Sequence, residues 1–424
     1  MNLPIAGVRK PRRTARGGVI AALDVGTTKV SCLIARVDEH GQPRVAGVGH
    51  QMSHGVRAGA IVDMDEAEAA IGAAVQAAEQ MAQETIRSVV VNMSGGRPTS
   101  QTIGAEVGIG GREVTDADMR RAMQQTRQMV GNGDTAVIHS IPIGFSLDGA
   151  KGIRDPRGMV GDRLGVQLHL VTAAGSARRN LSTCVARCHL EVEQFVVSPY
   201  AAGLAALVED EMDLGVTLVD MGGGTTSIAV FLEGNMVFAD TIPVGGAHVT
   251  SDIARGLTTS IAHAERMKTL YGHAMTSPAD ERETITVPQV GEDDETLANQ
   301  VPKSLLVGII QPRLEEIFEL VRHRLEQSGF SKAAGRRVVL TGGASQLPGT
   351  RELAQLILDK QVRLGRPLRI KGLADSVAGP AFATAAGLIQ YAVMQPLEIP
   401  AAGTSAEAQG NLLSRVGQWL RENL

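Results

Sequence analysis

At 424 residues with 43% hydrophobic content, the chain is long enough to fill the cores of about two to four domains. Forty-one Lys and Arg against 45 Asp and Glu give a net charge of −4, which leaves no nucleic-acid footprint, and three cysteines (Cys32, Cys184, Cys188) make no disulfide framework. No run approaches the roughly 18 apolar residues of a membrane span and no secretory h-region opens the chain, so composition points to a soluble intracellular protein.

Residues 1–17 carry Arg9, Lys10, Arg12, Arg13 and Arg16 among Pro and Gly and read as a disordered basic arm, a solvated tail before a lipid contact. The apolar run Val19 to Leu23 then delivers Asp24 into a hydroxyl-rich turn, Gly26-Thr27-Thr28-Lys29, and a second run, Val30 to Ala35, leaves it. Polyphosphate oxygens need several N–H donors converging on them without side chains in the way, which glycine permits. Threonine hydroxyls add donors, Lys29 adds a point charge, and an aspartate at a strand end can hold Mg2+ through its waters. One such turn is also what an ordinary hairpin looks like.

From about Arg87 to Gln167 the pattern changes to strands at Ser88–Met93 and Ala105–Ile109, a helix from Thr115 to about Met129, and a strand at Ala136–Ile143. Thr115 and Asp118 form a helix-capping pair, and Gly152 to Arg163 reads as exposed turns. This is an inserted α+β segment. In Cys184-Val-Ala-Arg-Cys188-His189 the spacing is one residue too long for haem attachment, so buried apolar thiols are expected. A helix of small residues follows the proline in Ser198-Pro199-Tyr200-Ala201-Ala202-Gly203-Leu204.

The first pattern then returns. Val216 to Val219 leads into Asp220-Met221-Gly222-Gly223-Gly224-Thr225-Thr226, and strand-like runs follow at Ser227–Leu232 and Met236–Pro243, matching Val30–Val37 and Arg44–Val48 after the first turn. A second small-residue helix follows Pro380, ending near Gly387, and Asp24 lies as far before Gly203 as Asp220 does before Gly387, to within a dozen residues. Two copies of one α/β unit with different insertions are expected. Their terminal helices could cross closely as a hinge, or simply pack in the core. A third element, Arg337 to Leu340, runs into Gly342-Gly343 and a helix from about Thr350 to Lys360.

These three segments resemble the phosphate-1, phosphate-2 and adenosine motifs of the superfamily of actin, heat-shock chaperones and sugar kinases, over most of residues 18–392. The resemblance implies ATP with Mg2+ between two halves. Asp24 and Asp220 would lie near the metal. Gly26, Thr27, Thr28 and Lys29 would lie on one side of the phosphates, Gly222, Gly223, Gly224, Thr225 and Thr226 on the other, and Gly342 and Gly343 against the adenosine. Glu265 and Lys268, in a stretch similar to the helix over the ribose, are candidates for nucleotide contact or an ordinary surface ion pair. P-loop, dinucleotide-fold and serine-hydrolase signatures are absent. No residue stands out as a catalytic base, so weak ATPase activity is the most that is expected.

After Met394 the chain takes linker composition, and residues 411–424 place Leu412, Leu413, Val416, Trp419, Leu420 and Leu424 on one helical face. Trp419 is the only tryptophan, and such a helix suits a membrane interface. A helix of about four turns is a weak anchor alone but a firm one when many act together on a filament.

The insertion, the motifs and the tethered helix together resemble the FtsA family of bacterial cell-division proteins. That resemblance implies an actin-like ATPase fold with subdomain 1A at 18–86 and 168–207, an inserted 1C at 87–167, 2A and 2B within 208–392 (2B about 248–330), a linker at 393–410 and a membrane-targeting helix at 411–424. It implies filaments of the protein itself on inner-membrane lipids, at the cytoplasmic face of the division site. It also implies attachment of the FtsZ C-terminal tail, with Arg313 as a candidate contact, and recruitment of later divisome proteins. The alternatives are a pilus-assembly scaffold of the PilM kind, a small-molecule kinase of the same superfamily and a chaperone ATPase; the last lacks room for a substrate domain after Ala392.

Overall fold

A computed structural model describes residues 18–128, 134–290, 299–396 and 398. The basic arm, the amphipathic stretch 411–424 and most of the linker lie outside them. The described residues divide into two compact units, one of 18–99 with Ala174–Gln395, the other of Ser100–Ala173 with Pro396 and Glu398.

The larger unit begins with β1 (Val19–Val25), β2 (Lys29–Val37) and β3 (Pro43–Met52), joined antiparallel through tight turns. A two-residue hairpin, β4 (Val56–Arg57) and β5 (Ala60–Ile61), leads to helix α1 (Met64–Ala82). Asp63 caps α1, its carboxylate accepting the Asp65 and Glu66 N–H groups at 3.1 and 3.0 Å. This satisfies donors that the first turn cannot. The alanine face of α1 lies so close to β3 that a methyl on Gly49 would sit 1.9 Å from the Ala74 carbonyl oxygen.

Strand β6 (Ser88–Met93) follows. The chain then runs through the smaller unit's β7 (Thr99–Glu113), α2 (Asp116–Gln128), β8 (Thr135–Leu147), β9 (Ala150–Ile153) and β10 (Val160–Ala174). It returns by α3 (Gly175–Arg187), β11 (Glu191–Val197) and α4 (Ser198–Ala206). The first sheet has the order β11-β6-β1-β2-β3, with β6 parallel to β1 and to β11.

The second half repeats it. After α5 (Glu209–Leu214) come β12 (Val216–Met221), β13 (Thr226–Leu232), β14 (Asn235–Ile242), α6 (Gly246–Gly256) and α7 (Ile261–Tyr271). Then come β15 (Thr284–Val287), β16 (Asn299–Pro302), α8 (Lys303–Gln327), β17 (Arg337–Thr341), α9 (Thr350–Leu358), β18 (Gln361–Leu364) and α10 (Ala383–Met394). Strands β18-β17-β12-β13-β14 neighbour one another in that order. As in the first half, two parallel pairings are followed by two antiparallel ones. The repeat seen in the motifs is therefore a repeat of topology.

The small-residue helices α4 and α10 pack against each other, and a methyl on Gly387 would stand 1.7 Å from the Ala201 carbonyl oxygen. Only glycine allows so close an approach.

In the smaller unit, β7, β10, β8 and β9 form consecutive strands beside α2, over a core that includes Val107, Met119, Met123, Leu164 and Leu168. Asp118 accepts the Thr115 N–H at 3.1 Å and is held by Arg112 at 2.6 and 2.7 Å, so the expected cap is present. Two expectations are corrected. Ser88–Met93 pairs with β1 and β11 instead of belonging to the insertion; a strand buried on both faces has no alternation to mark its sheet. Part of Gly152–Arg163 is strand, in β9 and β10, because its glycines and charges mask the pattern.

Candidate functional site

All of the paired motifs fall within the larger unit. The turn after β1 and the turn after β12 are closed by the same bond: Gly26 N–H donates to the Lys29 carbonyl at 3.0 Å, and Gly222 N–H to the Thr225 carbonyl at 2.8 Å. The turns face each other. A methyl on Gly223 would lie 1.9 Å from Thr28 Oγ1, and one on Gly224 2.5 Å from Thr27 Oγ1. The glycines keep two loop backbones at a separation that any side chain would fill.

The strand ends bring Asp24, Asp220 and Lys29 together. Asp24 is buried, and burial raises its carboxyl to about 7, with Asp220 adding to the rise and Lys29 opposing it. Asp220 is likewise raised by desolvation to about 6, against a Thr384 hydroxyl that donates to Oδ2 at 3.1 Å and the charge of Lys29. Desolvation lowers Lys29 to about 8 while the two carboxylates pull it back up. Its ammonium donates to the Ala381 carbonyl at 2.8 Å and lies over the Phe382 ring. The site has placed two acids where ionisation is costly, an arrangement that a bound cation would relieve.

The third element joins at Asp220. Gly342 follows β17 with φ +84°, and a methyl there would be 2.5 Å from Asp220 Oδ1 and 2.5 Å from the Met221 carbonyl oxygen. Gly343 opens a short 3-10 turn beside it and is exposed.

Glu265 and Lys268 on α7 pair at 2.7 Å, as a surface ion pair would. They also reach α6: Lys268 Nζ donates to Thr250 Oγ1 at 2.8 Å and to the Gly246 carbonyl at 3.3 Å, and Thr250 Oγ1 donates to Glu265. The α6 start is fixed to the second turn by Gly246 and Ala247 N–H groups donating to the Gly222 and Gly223 carbonyls at 2.9 and 2.8 Å. Arg313 lies well inside α8. Its guanidinium bonds Asp252 at 2.6 and 3.2 Å and also pairs with Glu316.

Sequence reasoning missed the groups that aim the turns. Asn92 accepts the Val25 N–H at 2.7 Å and donates to Ser198 Oγ at 3.1 Å, fixing the end of β1 from inside the sheet. A buried asparagine within an otherwise valine-rich strand was the available signal. Thr384, Ala381 and Phe382 come from the second small-residue segment, which reads as a hinge or as core packing. Among the described residues no group of three or more His, Cys, Asp or Glu could hold a metal by itself. No helix among them is long and apolar enough to cross a membrane.

A family model described as "Cell division protein FtsA" matches residues 217–387, and one described as "SHS2 domain inserted in FTSA" matches residues 95–172. The chain is 47% identical to the cell division protein FtsA of Rhizobium meliloti (strain 1021), covering 98% of this chain and 97% of that one. It is 33% identical to that of Escherichia coli (strain K12), covering 95% and 96%. Among solved structures, a PilM-PilN type IV pilus biogenesis complex matches with a TM-score of 0.63 at 18% identity, covering 88% of this chain and 98% of that one. MreB 5 of Spiroplasma citri bound to AMPPNP matches at 0.51 and 15%, covering 88% and 95%. At these identities the structural likeness is one of fold, the actin-like ATPase fold. With relatives this similar over nearly its full length, the chain belongs to the FtsA family of cell-division proteins.

Proposed function

We propose that the paired turns hold Mg-ATP and that the bound nucleotide sets the conformation in which this division protein assembles on the membrane. The observation that carries the reading is the convergence of two glycine-hydroxyl turns and Gly342 on Asp24, Asp220 and Lys29. The donor set fits Mg2+, which typically takes one or two carboxylates and completes its shell with water and phosphate oxygens. The metal would supply charge neutralisation of the phosphates. Gly26, Thr27, Thr28 and Lys29 would hold them from one side, Gly222 to Thr226 from the other, and Gly342 and Gly343 would border the nucleoside. Glu265 and Lys268 would act through α6, as positioning residues or direct contacts. The solved relative bound to AMPPNP has the same fold, which supports a nucleotide here.

In this reading nucleotide acts chiefly as a ligand whose contacts differ between open and closed states. Membrane attachment is assigned to residues 411–424 through Leu412, Leu413, Val416, Trp419, Leu420 and Leu424, and multivalency on a filament would convert weak single contacts into firm binding. Attachment of the FtsZ tail and recruitment of later divisome proteins follow from the family reading. Arg313 would reach an acidic peptide only by exchanging its pairs with Asp252 and Glu316. The pilus-scaffold alternative shares the fold at 18% identity, whereas the chains similar at 33–47% are division proteins.

The test is co-sedimentation with anionic lipid vesicles, with and without Mg-ATP. Wild type should pellet, more so with nucleotide, and Trp419→Glu should stay in the supernatant. Equal behaviour of the two proteins would overturn the anchor.

A further inference from the structure

Within the smaller unit, His139 in the middle of β8 is fully buried, and its Nδ1 lies 2.9 Å from Oε2 of Glu398, whose side chain is only 5% exposed. Glu398 stands beyond α10, in a stretch of linker composition where a glutamate would ordinarily remain in water. A carboxylate leaves water only when a donor receives it. The receiving strand is buried around it: Ile138 and Ile141 of β8 are buried, and His169 on the neighbouring β10 is also fully buried. Burial, and then the nearby His139, press His169 down to about 3, so it stays neutral. Neutral or protonated, His139 can donate from Nδ1, so the contact needs no charge on the ring.

We propose that His139 is a carboxylate-receiving site on the inserted unit whose occupant is Glu398 of the chain's own C-terminal segment. Glu398 is thereby held on the inserted unit. The other oxygen, Glu398 Oε1, is buried without a hydrogen-bond partner among the described residues. An unsatisfied buried acceptor weakens the docked state, so the latch is reversible, and another carboxylate-bearing segment that reached His139 would displace it. What release does to a membrane tail rests on the function proposed above; the docking does not.

The experiment uses the full-length chain in solution, without vesicles. Glu-C protease cuts after Glu398 itself. In wild type this cut should be at least tenfold slower than in a synthetic peptide of residues 390–406, and His139→Gln should abolish the protection. Because a buried substitution can unfold the unit, Glu398→Ala is followed separately by amide hydrogen exchange. Exchange across residues 394–398 should quicken at least tenfold while that of β8 and β10 is retained. Cleavage at peptide-like rates in wild type, or unchanged exchange in Glu398→Ala, would overturn the proposal. Neither readout involves lipid, so a failed co-sedimentation leaves this result standing, and the converse holds as well.

Discussion

Replacing Gly387 by alanine adds one methyl group where α10 crosses α4. That methyl would stand 1.7 Å from the Ala201 carbonyl oxygen, 2.3 Å from its carbon and 3.0 Å from its Cα. All three are backbone atoms of a helix, so no rotamer change relieves the contact. The helices must part by about 1.5 Å to restore an ordinary separation of roughly 3.3 Å, loosening a seam where Ala201 meets Gly387 and Tyr200 meets Tyr391. Overpacking costs about 1–3 kcal/mol where side chains can adjust, and a backbone clash belongs at or beyond the top of that range, about 3 kcal/mol. Gly72→Ala in α1 is the control, since nothing lies within 4 Å of its methyl. There the gain in helix propensity should stabilise by about 0.5–1 kcal/mol. Thermal and urea unfolding followed by far-UV circular dichroism should move in opposite directions for the two variants, by several degrees downward for Gly387→Ala. If Gly387→Ala unfolded with wild type, the backbone-to-backbone crossing would be refuted.

Two further outcomes follow from the buried charges. Asp24 has a folded pKa of about 7 against an ordinary 3.8, so between those values the folded state binds more protons than the unfolded one. Its contribution to stability is present below 3.8 and is lost as pH rises through about 7, by about 1.4 kcal/mol per unit at most. Nucleotide-free Asp24→Asn should therefore melt above wild type at pH 8, with a flatter pH dependence between 5 and 7.5, while losing Mg-ATP; a lower melting temperature at pH 8 would contradict the assignment. In the inserted unit, Arg112, then Thr115, hold Asp118 below the ordinary carboxylate range, so its contribution is present above 3.8 and lost as pH falls further. Asp118→Ala should destabilise that unit by about 2 kcal/mol, discounted because Arg112 is half-exposed, and selectively quicken exchange in α2.

The paired turns were legible because their residues are the chemistry: Asp, Gly, Thr and Lys at matched spacing after apolar runs can be compared by eye. Twofold topology followed from the same repeat. What sequence could not show were partners brought in by the fold from far along the chain. Asn92 reaches Val25 and Ser198 from within β6, and Thr384 reaches Asp220 from a segment of alanines. The insertion was misjudged at both ends for opposite reasons: β6 is too uniformly apolar to show which sheet it joins, and β9 and β10 too rich in glycine and charge to look like strands. Glu398 reads as linker until His139 is found beside it.

If Asp24, Asp220 and the facing glycine turns form one nucleotide cleft, titration calorimetry of Mg-ATP into the full-length chain and into Asp220→Ala will report it. Saturable binding of one nucleotide per chain, weakened at least tenfold in the variant while its circular dichroism is unchanged, is the result expected. Undiminished affinity in Asp220→Ala, or no binding to the folded wild type, would contradict it.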